Sequence, residues 1–161
     1  MFTSFLALSL FLVGFVSDAS AQKIGRPAPT IDKESLAKKK IDLSHLHGKV
    51  VVVDFWASWC KPCRAEFKEL EKLYRRFRKR GVVVIGVSID RDPQAMRAFL
   101  RRNPVSFPIV HDPEHQIAAR YNPKKLPSSY IIDRQGVLRF IQSGYRARDA
   151  STIKKQVQRF L

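Results

Sequence analysis

The fold is decided by residues 50–63, which read Val50-Val51-Val52-Val53-Asp54-Phe55-Trp56-Ala57-Ser58-Trp59-Cys60-Lys61-Pro62-Cys63. The stretch opens with β-branched residues after a turn-forming His47-Gly48-Lys49, and such a run is typical of a strand buried on both faces. Proline is well tolerated in the first turn of a helix, so Pro62 predicts that a helix begins there. The stretch therefore predicts a strand, a turn that carries two cysteines, and a helix.

The segment after this turn extends the pattern. Apolar side chains recur every three or four residues, which predicts a helix with one core-facing stripe. They are Phe67, Leu70, Leu73, Tyr74 and Phe77. Gly81 is placed to end this helix, and residues 82–89 are a second apolar run. A strand–helix–strand order implies two parallel strands joined by a right-handed crossover.

The remaining sequence predicts further elements of the same α/β domain. They are helices over residues 93–102 and 114–121, a short strand over 107–110, a hairpin of strands 129–132 and 137–141, and a last helix capped by Asp149. Neither a repeat nor an internal linker interrupts the sequence. We therefore expect one domain over residues 22–161.

The first residues resemble an export signal. Residues 1–16 are almost wholly apolar but shorter than the roughly 20 residues of a membrane span. Ala19-Ser20-Ala21 supplies the small residues of a cleavage site. We expect a signal peptide over residues 1–21 and a mature periplasmic or otherwise extracytoplasmic protein that starts at Gln22. No lysine or arginine precedes the apolar run, which departs from the usual signal pattern. An uncleaved membrane anchor is the alternative.

The chain is strongly basic. Its 161 residues include 30 Lys and Arg and 14 Asp and Glu, a formal charge of +16, while an apolar fraction of 45% excludes a disordered protein. A basic cluster stands at the predicted end of the first long helix: Arg75, Arg76, Arg78, Lys79 and Arg80. Because the sequence has no nucleic-acid recognition module and predicts export, an anionic membrane surface or an acidic partner is expected rather than nucleic acid.

The two cysteines indicate redox chemistry. A disulfide that closes so short a loop removes little entropy from the unfolded chain, so it stabilises the fold poorly. Cys60 is expected at a helix N-terminus, where N–H groups and the helix dipole favour a thiolate. Cys63 lies one helical turn further along the chain, and its side chain is expected to be more buried than that of Cys60. Cys60 is thus the predicted nucleophile and Cys63 the resolving thiol, while Lys61 adds a screened positive charge between them.

The sequence resembles a known family over residues 24–161. Residues 53–63 resemble the active-site segment of thioredoxins, and residues 48–67 resemble the exported TlpA/ResA-like branch. Residues 24–29, an insertion at 90–121 and a proline loop at 126–133 agree with that branch. The resemblance implies a thioredoxin-like α/β fold: a central mixed β-sheet flanked by helices, with an insertion after the second central strand.

The resemblance also implies roles for individual residues. Pro127 corresponds to a cis-proline facing the disulfide, and the backbone of Leu126 would pair with an extended substrate. Glu66 matches an acidic residue near the active site, although a solvated helix-face glutamate is the alternative interpretation.

Other site residues are inferred from the sequence itself. Asp54 stands in a strand that should be buried, which would raise its pKa; a strand-end aspartate bonded to backbone is the alternative. Trp59, with Lys61 and Pro62, is expected to contact substrate. Trp56 is equally consistent with two positions, one covering the disulfide and one in the core.

Other kinds of site fit less well. Zinc could in principle use the two cysteines with His111 and His115, but 47 residues separate Cys63 from His111, against roughly 12–15 in a zinc finger. Copper delivery remains an alternative function, although related chaperones usually space their cysteines by three. A peroxidase needs a lone peroxidatic cysteine, which the paired motif does not match. We expect no cofactor and no metal.

The predicted activity is dithiol–disulfide exchange outside the cytoplasm. Proteins of the TlpA/ResA-like kind often act as reductants, including on apocytochrome c cysteines before haem attachment. The expected partners are protein disulfide or dithiol clients and an upstream electron donor, and the protein is expected to be a monomer. General disulfide oxidation or isomerisation stays open, because direction depends on the reduction potential.

Overall fold

The computed structural model describes residues 23–161, so the predicted signal peptide lies outside the described residues. The strands are β1 (Asp32–Glu34), β2 (Lys40–Asp42), β3 (Val50–Trp56), β4 (Val82–Ser88), β5 (Ile109–His111), β6 (Ser128–Ile132) and β7 (Leu138–Ser143). The α-helices are α1 (Cys63–Phe77), α2 (Pro93–Arg102), α3 (Gln116–Tyr121) and α4 (Asp149–Phe160), with short 3-10 helices at Leu43–Leu46 and Arg78–Arg80. None of these helices has both the length and the apolarity that crossing a bilayer requires.

Five of these strands form a mixed sheet in the order β5-β4-β3-β6-β7. Strands β3, β4 and β5 are parallel neighbours, whereas β6 pairs antiparallel with both β3 and β7. The predicted strand–helix–strand unit is β3-α1-β4. The helix continues into the 3-10 turn, which Gly81 ends at φ 97°, a left-handed conformation that favours glycine.

The central strand β3 is buried along its whole length, as its β-branched run predicted. Successive side chains of a strand point to opposite faces. Val52 and Trp56 therefore pack with apolar residues of α1, α2 and α4, whereas Val53 and Phe55 join the second core, to which α3 and the N-terminal segment contribute. This alternation places Asp54 on the face that α1 covers.

The segment before β3 forms backbone bridges at both edges of the sheet. Strands β1 and β2 form a small antiparallel hairpin. Pro27 makes a bridge to Val137 beside β7, and Ser35 makes one to Val110 in β5. The insertion at residues 90–121 forms α2, β5 and α3.

Three predicted boundaries are wrong by two residues, one of them the end of β7, which lies at Ser143 rather than residue 141. Strand β5 begins at Ile109 rather than Phe107, because Pro108 has no N–H for the ladder, and the Phe107 ring instead packs 5.5 Å from that of Phe67. Helix α3 begins at Gln116 rather than residue 114, because His115 has a left-handed φ of 57°.

The predicted cap of the last helix is also wrong. Asp149 is the first residue of α4 rather than its N-cap, and no side chain of residues 23–161 caps that helix. The carboxylate of Asp149 turns back and accepts the N–H of Arg146 at 2.6 Å. Asp149 therefore fixes the loop between β7 and α4.

Candidate active site

The two cysteines are joined in a disulfide where β3 leads into α1. The S–S distance is 2.03 Å and the Cα atoms are 5.4 Å apart. Cys60 precedes the helix in a turn, with its N–H donating to Ala57 O at 3.1 Å, and Cys63 is the first helical residue. Cys60 is 4% exposed and Cys63 is fully buried. Both cysteines are therefore buried in the oxidised protein, Cys60 slightly less than Cys63.

A buried aspartate that sequence reasoning missed holds the loop before Cys60. Both carboxylate oxygens of Asp90 accept the N–H of Ser58, at 2.9 and 3.1 Å, and Oδ1 accepts the Ser58 hydroxyl at 2.7 Å. Ser88 donates to Asp90 Oδ2 at 2.9 Å. Asp90 follows β4, the strand parallel to β3, so the two carboxyl ends meet at one edge of the sheet. An acidic residue directly after a buried strand was the available signal.

The proline loop lies beside the disulfide. The Leu126–Pro127 peptide bond is cis, as the resemblance implied. The neighbouring carbonyls are occupied: Ser128 Oγ donates to Lys125 O at 2.6 Å, and Gly144 N donates to Pro127 O at 2.8 Å. The N–H and C=O of Leu126 form no hydrogen bond within residues 23–161. One backbone donor and one acceptor are therefore free beside Cys60.

A pair of buried carboxyl groups lies beneath the site. Asp54 is fully buried in mid-strand and Glu66 is 1% exposed in the first turn of α1. The Ser129 hydroxyl lies 3.0 Å from Asp54 Oδ1 and 2.9 Å from Glu66 Oε1. This geometry excludes both alternatives, a solvated helix-face glutamate and a strand-end aspartate bonded to backbone.

Ser129 is a second residue that sequence reasoning missed, and its position has a chemical consequence. A serine hydroxyl carries one proton and can donate to only one of two ionised carboxylates. The second short contact is a hydrogen bond only when a carboxyl is itself protonated and donates. The geometry therefore favours at least one bound proton on the pair.

Burial is the main cause of unusual pKa values in this pair. It raises the pKa of Asp54 well above its usual range, and the nearby Glu66 charge adds to the increase. Burial raises the pKa of Glu66 to about 7, against an opposing hydrogen bond from Ser129. The pair can therefore bind and release a proton near neutral pH at one helical turn from Cys63.

A groove of about 430 Å³ opens next to Cys60, and we call it the tryptophan groove. Its lining includes all the side chains expected to contact substrate, and its members are Trp59, Cys60, Lys61, Pro62, Ile89 and residues 123–126. Trp59 is 69% exposed, which is unusual for so large an apolar side chain. Trp56, in contrast, is fully buried with its ring 4.7 Å from those of Phe67 and Phe99, so it belongs to the core.

The histidines of the zinc hypothesis have other partners. His111 Nε2 is 2.7 Å from Asp90 O, and His115 Nε2 is 3.0 Å from Ile89 O. The cysteines are bonded to each other. Within residues 23–161, no group of three or more His, Cys, Asp or Glu side chains is arranged to hold a metal ion.

The fold and the paired cysteines define a thioredoxin-like thiol–disulfide oxidoreductase. Residues 24–141 match the model of the AhpC/TSA family. The chain is 35% identical over 123 residues to the thiol-disulfide oxidoreductase ResA of Bacillus cereus, covering 76% of this chain and 71% of the relative. It is 30% identical over 155 residues to ResA of Geobacillus kaustophilus, covering 92% and 89%. The chain belongs to the AhpC/TSA family of thioredoxin-like proteins, among relatives of ResA.

A solved structure agrees with this assignment. The crystal structure of a putative thiol:disulfide interchange protein DsbE from Chlorobium tepidum superposes with a TM-score of 0.82 at 30% sequence identity, covering 86% of this chain and 98% of that one. The protein is thus an enzyme of thiol–disulfide exchange, and the cysteine pair is the chemical group that such exchange requires.

Proposed function

We propose that the protein is an exported reductant of protein disulfides, and that it turns over through Cys60 and Cys63. The observation that carries the proposal is the disulfide itself, which has one sulfur at the edge of an open groove and the other buried near a proton-binding carboxyl pair. Export is inferred from the apolar residues 1–16 and the cleavage site before Gln22. An uncleaved anchor would keep the same site on the outer side of the membrane.

The reaction begins with the reduced enzyme. The Cys60 thiolate attacks one sulfur of the client disulfide, the client S–S bond breaks, and the departing client thiolate takes up a proton. Enzyme and client are then joined through Cys60. In this geometry the free N–H and C=O of Leu126 pair with the extended client chain, and Trp59 covers it.

Resolution uses the buried thiol. Cys63 loses its proton to the carboxyl pair of Asp54 and Glu66, and its thiolate attacks the sulfur of Cys60. The mixed disulfide breaks, the second client sulfur leaves as a thiolate that takes up a proton from water, and the carboxyl pair returns its proton to water. The client gains two electrons and two protons, and the enzyme becomes the disulfide seen in the structure. An upstream dithiol donor restores the reduced enzyme. The paired cysteines of an apocytochrome c are one client class that this chemistry suits.

The reduction potential tests the direction of exchange. Equilibration with glutathione or dithiothreitol, read from the fraction of alkylated Cys60 and Cys63, should give a value more negative than about −200 mV, in the range of reducing thioredoxin-like proteins. A value near about −120 mV, which is that of a strong oxidant, would reject the reductant role. It would assign the protein to disulfide formation or isomerisation instead.

A further inference from the structure

Two cavities lie on either side of the proline loop. One is the tryptophan groove. The other, about 480 Å³, is lined by residues 142–146, Arg148 and Asp149, and we call it the arginine pocket. Both cavities are also lined by Pro62, Lys125 and Leu126. These three residues therefore form a ridge, and the free backbone groups of Leu126 lie between the two cavities.

The cations around this ridge have no acidic partner in the part of the chain that the structure describes. Among the described residues, the tryptophan groove is lined by Lys61, Lys124 and Lys125 and by no acidic side chain. The arginine pocket adds Arg146 and Arg148. None of these five takes part in an ion pair within residues 23–161.

Several acidic side chains already have hydrogen-bond or ion-pair partners of their own. The arginine pocket is also lined by Asp149, whose carboxylate accepts a backbone N–H. Outside the two cavities, Glu69 and Glu71 pair with lysine or arginine on α1, and Asp133 pairs with Arg139. Among the described residues, five cations therefore line the two cavities against one acid, Asp149, and this excess of positive charge faces any molecule that binds there.

We propose that the ridge selects clients with carboxylate side chains on both sides of the reacting cysteine. The proposal rests on the proposed function, since it names the client class of the same site. An extended client that pairs with Leu126 advances about 3.3 Å per residue. Aspartate or glutamate within about three residues on either side of its cysteine then reaches the lysines of one cavity and the arginines of the other.

The shape of the site favours a peptide over a lipid surface. The tryptophan groove is concave and has an apolar lining that includes Ile89 and Pro123, next to a free backbone donor and acceptor. An extended peptide uses all of these features, with main-chain pairing for affinity and pockets for side-chain selection. An anionic bilayer would use the charges and the exposed Trp59 ring but not the backbone N–H and C=O of Leu126.

Three model clients test the proposal. Each is a peptide with one central cysteine, blocked as a disulfide with mercaptoethanol and flanked by glutamate, glutamine or lysine. The reduced enzyme is mixed with each peptide at low salt and at about 1 M salt, where the Debye length falls to about 3 Å. At low salt the glutamate peptide should react at least about tenfold faster than the lysine peptide, and at high salt the difference should nearly vanish.

Variants assign the effect to the two cavities. Lys124→Gln and Arg148→Gln should each slow the glutamate peptide about two- to fivefold, the size of one exposed ion pair, and should slow the glutamine peptide less. Lys39→Gln is the matched control, because it removes an exposed lysine that lines neither cavity. It should change neither rate.

The remaining outcomes overturn the proposal in distinguishable ways. Equal rates for the three peptides would reject client selection while leaving the reductase function intact. Failure to reduce any peptide, the glutamine one included, would reject the proposed function and this inference with it. Binding to phosphatidylglycerol vesicles that Lys124→Gln abolishes, without any preference among the peptides, would assign the cations to a lipid surface.

Discussion

Replacing Glu66 by glutamine should change how the stability of the protein depends on pH. In the folded protein burial raises the pKa of Glu66 from 4.5 to about 7. Between these values the folded state keeps a proton that the unfolded state has lost, so the free energy of unfolding falls as the pH rises through this window. At about 1.4 kcal/mol for each pH unit, ionisation of Glu66 destabilises the fold by on the order of 3 kcal/mol by pH 8.

Urea unfolding of the oxidised protein, followed by circular dichroism at pH 4.5 and pH 8, measures this effect. Relative to wild type, Glu66→Gln should gain on the order of 3 kcal/mol of stability between the two pH values, because the amide has no proton to lose. Glu69→Gln is the matched control on the same helix: Glu69 is 39% exposed and paired with Lys72. The control should follow wild type, and an unchanged pH dependence in Glu66→Gln would refute the argument.

Ser129 offers a companion test of the same pair. Its hydroxyl lowers the folded-state pKa of the carboxyl groups, so Ser129→Ala should raise those values and extend the loss of stability to higher pH, from the same starting point near the unfolded-state pKa. Ser129→Thr keeps the hydroxyl and should keep the wild-type profile. If the alanine and threonine variants behave alike, the hydroxyl does not control the bound proton.

Three further predictions concern reactivity, export and charge. Asp54→Asn should raise the pH at which the reduced cysteines begin to react with iodoacetamide, or broaden the pH range of that transition, because an amide cannot accept a proton. A rate–pH profile identical to wild type would contradict this. N-terminal sequencing of protein recovered outside the cytoplasm should begin at Gln22, whereas an intact chain held in the membrane would support an anchor. Changing Arg75, Arg76 and Lys79 to glutamate should weaken binding to anionic vesicles and leave reduction of a small neutral disulfide unchanged. Unchanged vesicle binding would mean that this end of the helix is a solvent-exposed face that does not bind membranes.

The basic helix end and the active site are separate surfaces. Helix α1 has 15 residues, so it is about 22 Å long, and its basic end lies opposite Cys63. Arg75 pairs with Glu71 at 2.6 Å, while Arg76 and Arg80 lie over the Phe77 ring. The cations beside the disulfide therefore come from other segments of the chain.

Local sequence was enough to predict most of the fold. The β-branched run of β3 and the apolar spacing of α1 are strong signals, and α2 has the predicted bounds of Pro93 and Arg102 because Asp92 caps it. The errors arose where a backbone feature overrides the apolar pattern. Pro108 delays β5, and the left-handed His115 delays α3.

The candidate site was less predictable, because its supporting contacts span long stretches of sequence. Cys60 and Cys63 are adjacent in a motif, and Glu66 follows them by one helical turn. Ser129 reaches Asp54 across 75 residues and Asp90 reaches Ser58 across 32. Such contacts follow from strand order and register, here Asp54 opposite Ser129, which no local pattern specifies.

The central claim is that Cys60 attacks the client and Cys63 resolves the complex, and a trapping experiment tests it most directly. Reduced Cys63→Ser is incubated with insulin as a disulfide-bonded client, quenched with acid, and mapped by mass spectrometry. The account predicts a stable insulin adduct on Cys60, no comparable adduct in Cys60→Ser, and turnover only in wild type. Normal turnover by Cys63→Ser, or an equally fast adduct on Cys63 in Cys60→Ser, would contradict it.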